Sequence, residues 1–187
     1  MEGAPLEEFE DALGHRFADR DLLVRALTHS SRKSELEFSN ERLEFLGDAI
    51  LGAVVSDCLY RDFEDFTEGD LTCVKSRVVS RETLVRVAQS LKVERYLNVA
   101  KGVAHPPSGA ADAAEPGRHV LPVSLVSDAM EAVIAAVYLD AGMPTAYALV
   151  IRLLAEDIET ASRSEDVHNF KSALQQYAQR KLGPTPQ

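Results

Sequence analysis

Asn40-Glu41-Arg42-Leu43-Glu44-Phe45-Leu46-Gly47-Asp48-Ala49-Ile50 reads as a helix with two faces. Leu43, Leu46, Ile50 and Val54 recur every three or four residues, the spacing of one buried helical stripe. The pattern predicts a long helix from Glu41 to about Tyr60, with Ser39 or Asn40 placed to cap it. Glu41, Glu44 and Asp48 stand at i, i+3 and i+7, so a helix puts all three on one face. Like charges so placed repel, and a hard cation with oxygen ligands would relieve the repulsion. Gly47 costs a helix about 1 kcal/mol relative to Ala. Its presence suggests that something packs close to the backbone there.

A second acidic pair, Asp128 and Glu131, is again i and i+3. It lies among Leu125, Val126, Met130, Val133 and Ile134. Charges in so apolar a segment are usually paired or metal-bound. Glu68, in Thr67-Glu68-Gly69-Asp70, is a further candidate on an expected turn. Acids at these spacings also line wholly solvated helices, so spacing alone leaves a metal site and a solvated face both open.

The rest of the chain predicts an all-α fold. Leu6, Phe9 and Leu13 begin an amphipathic stretch, and Asp19 or Asp21 is placed to cap a segment over Leu22 to Thr28. Gly69-Asp70 marks a turn before a helix over Leu71 to Ser80, and another follows from Arg81 to about Leu91. Residues 104–119 are rich in Pro, Gly and Ala and predict an exposed loop. Helix resumes near Val123 and runs to Asp140, where Gly142 and Pro144 end it. A further helix covers about Thr145 to Ser162. Residues 163–168 read as a polar linker, and a last helix covers Lys171 to Leu182.

Bulk properties narrow the function. The 187 residues suit one domain with a small appendage, and 45% hydrophobic content supports a core. Cys58 and Cys73 form no zinc or disulfide spacing. The acidic N-terminus resembles no secretory signal. The longest apolar run, Ala132 to Leu139, is too short to cross a bilayer. A cytoplasmic protein without a membrane partner is the expectation. The net charge of −10 counts against nucleic-acid binding, unless several of the acids hold cations.

Asn40 to Ile50 resembles the ribonuclease III signature NERLEFLGDA. Ala26-Leu27-Thr28-His29-Ser30 is similar to that family's ALTH-S segment, Glu68-Gly69-Asp70-Leu71 to its EGD/EGxL turn, and Ser127-Asp128-Ala129-Met130-Glu131-Ala132 to its second acidic motif. The resemblance covers roughly residues 6 to 160. It implies the family's helical endonuclease fold and a homodimer that cuts double-stranded RNA. It places metal ligands at Glu41, Asp48, Asp128 and Glu131, with Asp48 and Glu131 catalytic. Glu44 and Glu68 match supporting acids, and Phe45 an aromatic at the dimer interface. Mg²⁺, with Mn²⁺ able to substitute, is the implied cofactor. Two such ions a few ångströms apart would activate a water and stabilise the leaving oxygen. The implied products carry 5′-phosphate and 3′-hydroxyl ends with short 3′ overhangs. Ribosomal RNA precursors and structured messenger RNAs are the implied substrates.

Residues 1–162 are thus expected to form the catalytic domain. Asn169 to Gln179 resembles the first helix of the family's double-stranded-RNA-binding domain, so 169–187 is expected to be the start of such a domain, most of it missing. Gln175 and Gln179 share a face and are expected to reach 2′-hydroxyls in the minor groove. Three rivals are a non-catalytic RNA-binding relative of the same fold, a small-molecule phosphohydrolase, and a structural helical dimer. The first is disfavoured because every matching carboxylate is present. The second usually needs His-Asp ligand pairs, and the five His show no such spacing.

Overall fold

The computed structural model describes residues 5–32, 39–100, 102–103 and 121–164. Among them the chain is helical: α1 Leu6–Leu13, α2 Arg20–Ala26, α3 Glu41–Asp62, α4 Glu68–Val78, α5 Arg81–Ser90, a 3-10 turn at Val93–Arg95, and α6 Val123–Ser162. Extended pairing among the described residues is limited to one parallel bridge, Thr28 to Asn98. The expected all-α class is observed. The loop at 104–119 and the segments at 163–168 and 169–187 lie wholly or mostly outside the described residues, as do Gln175 and Gln179.

The core is α6, against which α2, α3, α4 and α5 all pack. Its sequence explains this position, because Leu125, Val126, Met130, Val133, Ile134 and Val137 are all buried. By length and hydropathy α6 would suffice to cross a membrane. Its apolar residues instead form the centre of this core, and Gly142 breaks it. Gly142 has φ 79, ψ 175, outside the helical region and open to glycine alone at no steric cost. Two helical segments therefore meet there, as Gly142 and Pro144 predicted.

Capping decides several boundaries. Asp19 caps α2 by accepting from the Asp21 N–H at 3.0 Å, so α2 begins at Arg20 rather than Leu22. Thr67 and Asp70 form a reciprocal capping box. The Asp70 carboxylate accepts from the Thr67 N–H at 2.9 Å, and Thr67 Oγ1 accepts from the Asp70 N–H at 3.3 Å. Gly69-Asp70, expected as a turn, is thus the first turn of α4. Asn40 does precede α3, but its side chain makes no capping bond. Its backbone does the anchoring. Its N–H donates to the Thr28 carbonyl, and its carbonyl accepts from the Glu44 N–H, both at 2.8 Å.

Two buried carboxylates tie the N-terminal helices to this core. Glu10, 1% exposed, accepts from the Phe17 N–H at 2.9 Å, from Arg16 at 3.1 Å and from Arg20 at 2.9 Å. Asp140, near the Gly142 break, accepts from His15 Nε2 at 2.8 Å and from the Asp19 and Ala18 N–H groups at 2.9 and 3.2 Å. Burial pushes both carboxyls up, but these donors outweigh it and hold both below the ordinary range.

The closest approach in the core is between backbones. A Cβ on Gly47 would lie 1.9 Å from the Glu131 carbonyl oxygen and 2.4 Å from its carbonyl carbon. No rotamer change relieves a clash with backbone. Gly47→Ala is expected to destabilise the fold by about 3 kcal/mol in urea unfolding, despite the better helix propensity of Ala; an unchanged midpoint would refute the crossing. Asp140→Asn is expected to lower stability at pH 7 by about 1–3 kcal/mol. Because the Asp140 pKa is depressed by folding, that contribution is full above about pH 4 and is lost as the pH falls further. Melting curves of the two proteins should therefore converge in acid.

Candidate active site

The Gly47 crossing sets the site. One turn before it on α3 stands Glu44, and one residue after it stands Asp48. On α6, Glu131 is at the crossing and Asp128 is one turn earlier. Two i, i+3 or i+4 pairs from separate helices are thereby brought face to face.

The electrostatics show that the pairs meet. Burial raises the Glu131 carboxyl most, and the charges of Asp48, Asp128 and Glu44 raise it further, to about 7. Glu44 is raised by burial first, then by Asp128, Glu41 and Asp48. The one cation opposing both shifts is Arg81, the first residue of α5. Glu131, Glu44 and Asp128 are half-buried, whereas Asp48 and Glu41 are exposed. The cluster therefore lies at a rim between core and solvent. The Ser127 hydroxyl, held on the Ser124 carbonyl at 2.8 Å, also reaches Asp128 Oδ1 at 3.2 Å.

Of the predicted residues, Asp48, Asp128, Glu131 and Glu44 are brought together. Glu41 acts on Glu44 but is not among the leading charges acting on Glu131. Glu68 lies at the start of α4, exposed, where it accepts from Thr72 Oγ1 at 3.2 Å; no interaction links it to the cluster. Phe45 is 82% exposed, the most exposed large apolar side chain described. Sequence reasoning missed Arg81. The Ser80 N-cap and the acid-free run from Leu71 to Arg81 were the available signals.

The donor set suits a hard divalent cation. It offers carboxylate oxygens alone, and their repulsion is offset by one arginine. Among the described residues no three acidic, His or Cys side chains are placed to grip one ion together. The chemistry of the donor set, all carboxylate oxygens on two crossing helices, fits such an ion.

Residues 19–158 match the family model described as Ribonuclease-III-like. A protein named Ribonuclease 3 from Rhodopirellula baltica is 43% identical over 183 residues, which covers 98% of this chain and 64% of that protein. A second Ribonuclease 3, from Nitratidesulfovibrio vulgaris, is 40% identical over 185 residues and is covered to 69%. The chain thus spans about two thirds of the length of these relatives. Among solved structures, the nuclease domain of ribonuclease III from Campylobacter jejuni superposes with a TM-score of 0.69 at 33% identity, covering 82% of this chain and 98% of that one. A second structure of the same domain gives 0.68. With its helices, its acidic cluster and its sequence all agreeing, this chain belongs to the ribonuclease-III-like family.

Proposed function

We propose that this chain is a divalent-cation-dependent endoribonuclease that hydrolyses double-stranded RNA in the cytoplasm. The observation that carries the proposal is the convergence of Asp48 with Asp128 and Glu131 across the Gly47 crossing. Membership of the family supports it. The proposed products carry 5′-phosphate and 3′-hydroxyl ends with short 3′ overhangs. Ribosomal RNA precursors and structured messenger RNAs are the proposed substrates. A homodimer would bring one site to each strand. Support for it comes from the exposure of Phe45 on α3, and from the Campylobacter jejuni nuclease domain, which is described as having a region involved in dimer formation.

Mg²⁺, when bound, would supply an activated water and stabilise the leaving oxygen. Asp48, Asp128 and Glu131 would hold it, with Glu41, on the first turn of α3, as the further proposed ligand. Glu44 adds negative charge beside these ligands. Burial and the neighbouring acids push the Glu131 carboxyl up to about 7, so ion binding there would compete with its protonation.

Incubation of the purified chain with long duplex RNA, with and without Mg²⁺, tests the reading; products should appear only with the ion. Glu131→Gln and Asp48→Asn are each expected to lower cleavage at least a thousandfold while duplex binding persists. Robust turnover by either variant would falsify the assignment.

Stability offers a second readout. Folding raises the Glu131 pKa, so its favourable share is full below about 4.5 and is lost as the pH passes through about 7. Without divalent ions, Glu131→Gln should melt about 2–4 °C above the parent at pH 8, a gain on the order of 1 kcal/mol after solvent screening. The difference should vanish near pH 4.5. Added Mg²⁺ should raise the parent's melting temperature and leave the variant's nearly unchanged. A variant that melts below the parent at pH 8 contradicts this.

A further inference from the structure

The α4–α5 corner carries Arg77, Arg81 and Arg86, and two of these are engaged. Arg77 Nη1 donates to the Ser164 hydroxyl at 2.6 Å. Arg86 pairs with Asp157. Arg81 is exposed and forms no ion pair or hydrogen bond among the described residues. Its position is nevertheless fixed. Ser80 caps α5 by accepting from the Thr83 N–H at 3.3 Å, and Thr83 Oγ1 donates back to the Arg77 carbonyl at 3.0 Å. One turn beyond Arg81, Leu84 packs with Met130 and Ile134 of α6, next to Glu131. The packing that seats α5 thus holds the start of that helix beside the acidic cluster. Arg81 is the charge that opposes the carboxylates at both Glu44 and Glu131.

A counterion meant only for those acids would sit in contact with one of them. Arg81 does not, and its guanidinium is left open to solvent. Its planar fork suits two phosphate oxygens at once. No acid occurs between Leu71 and Arg81, so a polyanion approaching from α4 meets no carboxylate on that stretch. On these grounds we infer that Arg81 binds a backbone phosphate of the duplex beside the cleaved bond and positions the strand over the carboxylates. The inference rests on the nuclease reading above and adds a substrate contact to it.

Arg81→Ala, Arg81→Lys and Arg81→Glu test it against the parent. Binding of a 30-base-pair RNA duplex is measured by anisotropy in Ca²⁺ across a salt series, and cleavage is measured in Mg²⁺. Arg81→Ala should raise KM about tenfold with kcat changed less than threefold. Its slope of log K against log salt should fall by about 1. Arg81→Lys should recover most of the loss, and Arg81→Glu should be worse than Ala. Because the side chain is exposed, melting temperatures should stay within about 2 °C of the parent. An active parent whose KM and salt slope survive Arg81→Ala overturns the phosphate contact alone. So does an Arg81→Ala that shifts only the Mg²⁺ requirement, since that marks a counterion to the acids. A parent that neither binds nor cuts duplex RNA overturns the nuclease reading and this contact with it.

Discussion

The carbonyl of Glu131 occupies the space that a Cβ on Gly47 would need, and the geometry of the candidate site follows from that close approach. Two helices meeting backbone to backbone leave no room for a side chain at the crossing. The side chains one turn away on each helix must then flank it. On this chain those flanking residues are acids. The separation between Asp48 and Glu131 is set by main chain, which does not relax, rather than by flexible side chains. Core packing of Ile50, Met130 and Ile134 holds the two helices together against the repulsion of the acids.

The same residue types behave in opposite ways elsewhere in the molecule. Glu10 is buried and the Asp140 side chain is 3% exposed, yet folding lowers their pKa values. The difference is supply. Backbone N–H groups, arginines and His15 meet those carboxylates with donors. Glu44 and Glu131 are met mainly by other carboxylates. A structural acid is solvated by the protein, whereas an acid left to repel its neighbours is stabilised by something from outside. Burial alone does not separate the two kinds; partner chemistry does.

Much of this was legible in the residue order. The stripe Leu43, Leu46, Ile50 and Val54 located α3, and Gly47 within it announced a close backbone contact. Gly142 and Pro144 marked the break in α6. The acidic spacing showed that each pair shares a face, but not that the two faces meet, because that depends on which helices cross and where. The start of α4 was misplaced because Gly69-Asp70 has turn composition, and the capping box with Thr67 overrides it. Asn40 has the right type for a cap, but its side chain is buried and both amide atoms lack a partner among the described residues; the hydrogen bond from its N–H to Thr28 fixes the helix start instead. Arg81 escaped notice because its role is tertiary: nothing local to Ser80-Arg81-Glu82 tells of carboxylates on α3 and α6.

The net charge of −10 looks like an obstacle to an RNA partner, but a sum over the chain is the wrong measure. Glu10 is paired with Arg16 and Arg20, and several surface acids are paired with arginines. Among the described residues the cluster at the crossing gathers several carboxylates against the single charge of Arg81, and divalent cations there would turn a repulsive surface into one that attracts phosphate. On the function proposed above, RNA approach and ion occupancy would be coupled, each stabilising the other. On that reading a duplex would be held over the carboxylates when the ions are in place to cut it, which would give an acidic chain selectivity for the moment of cleavage.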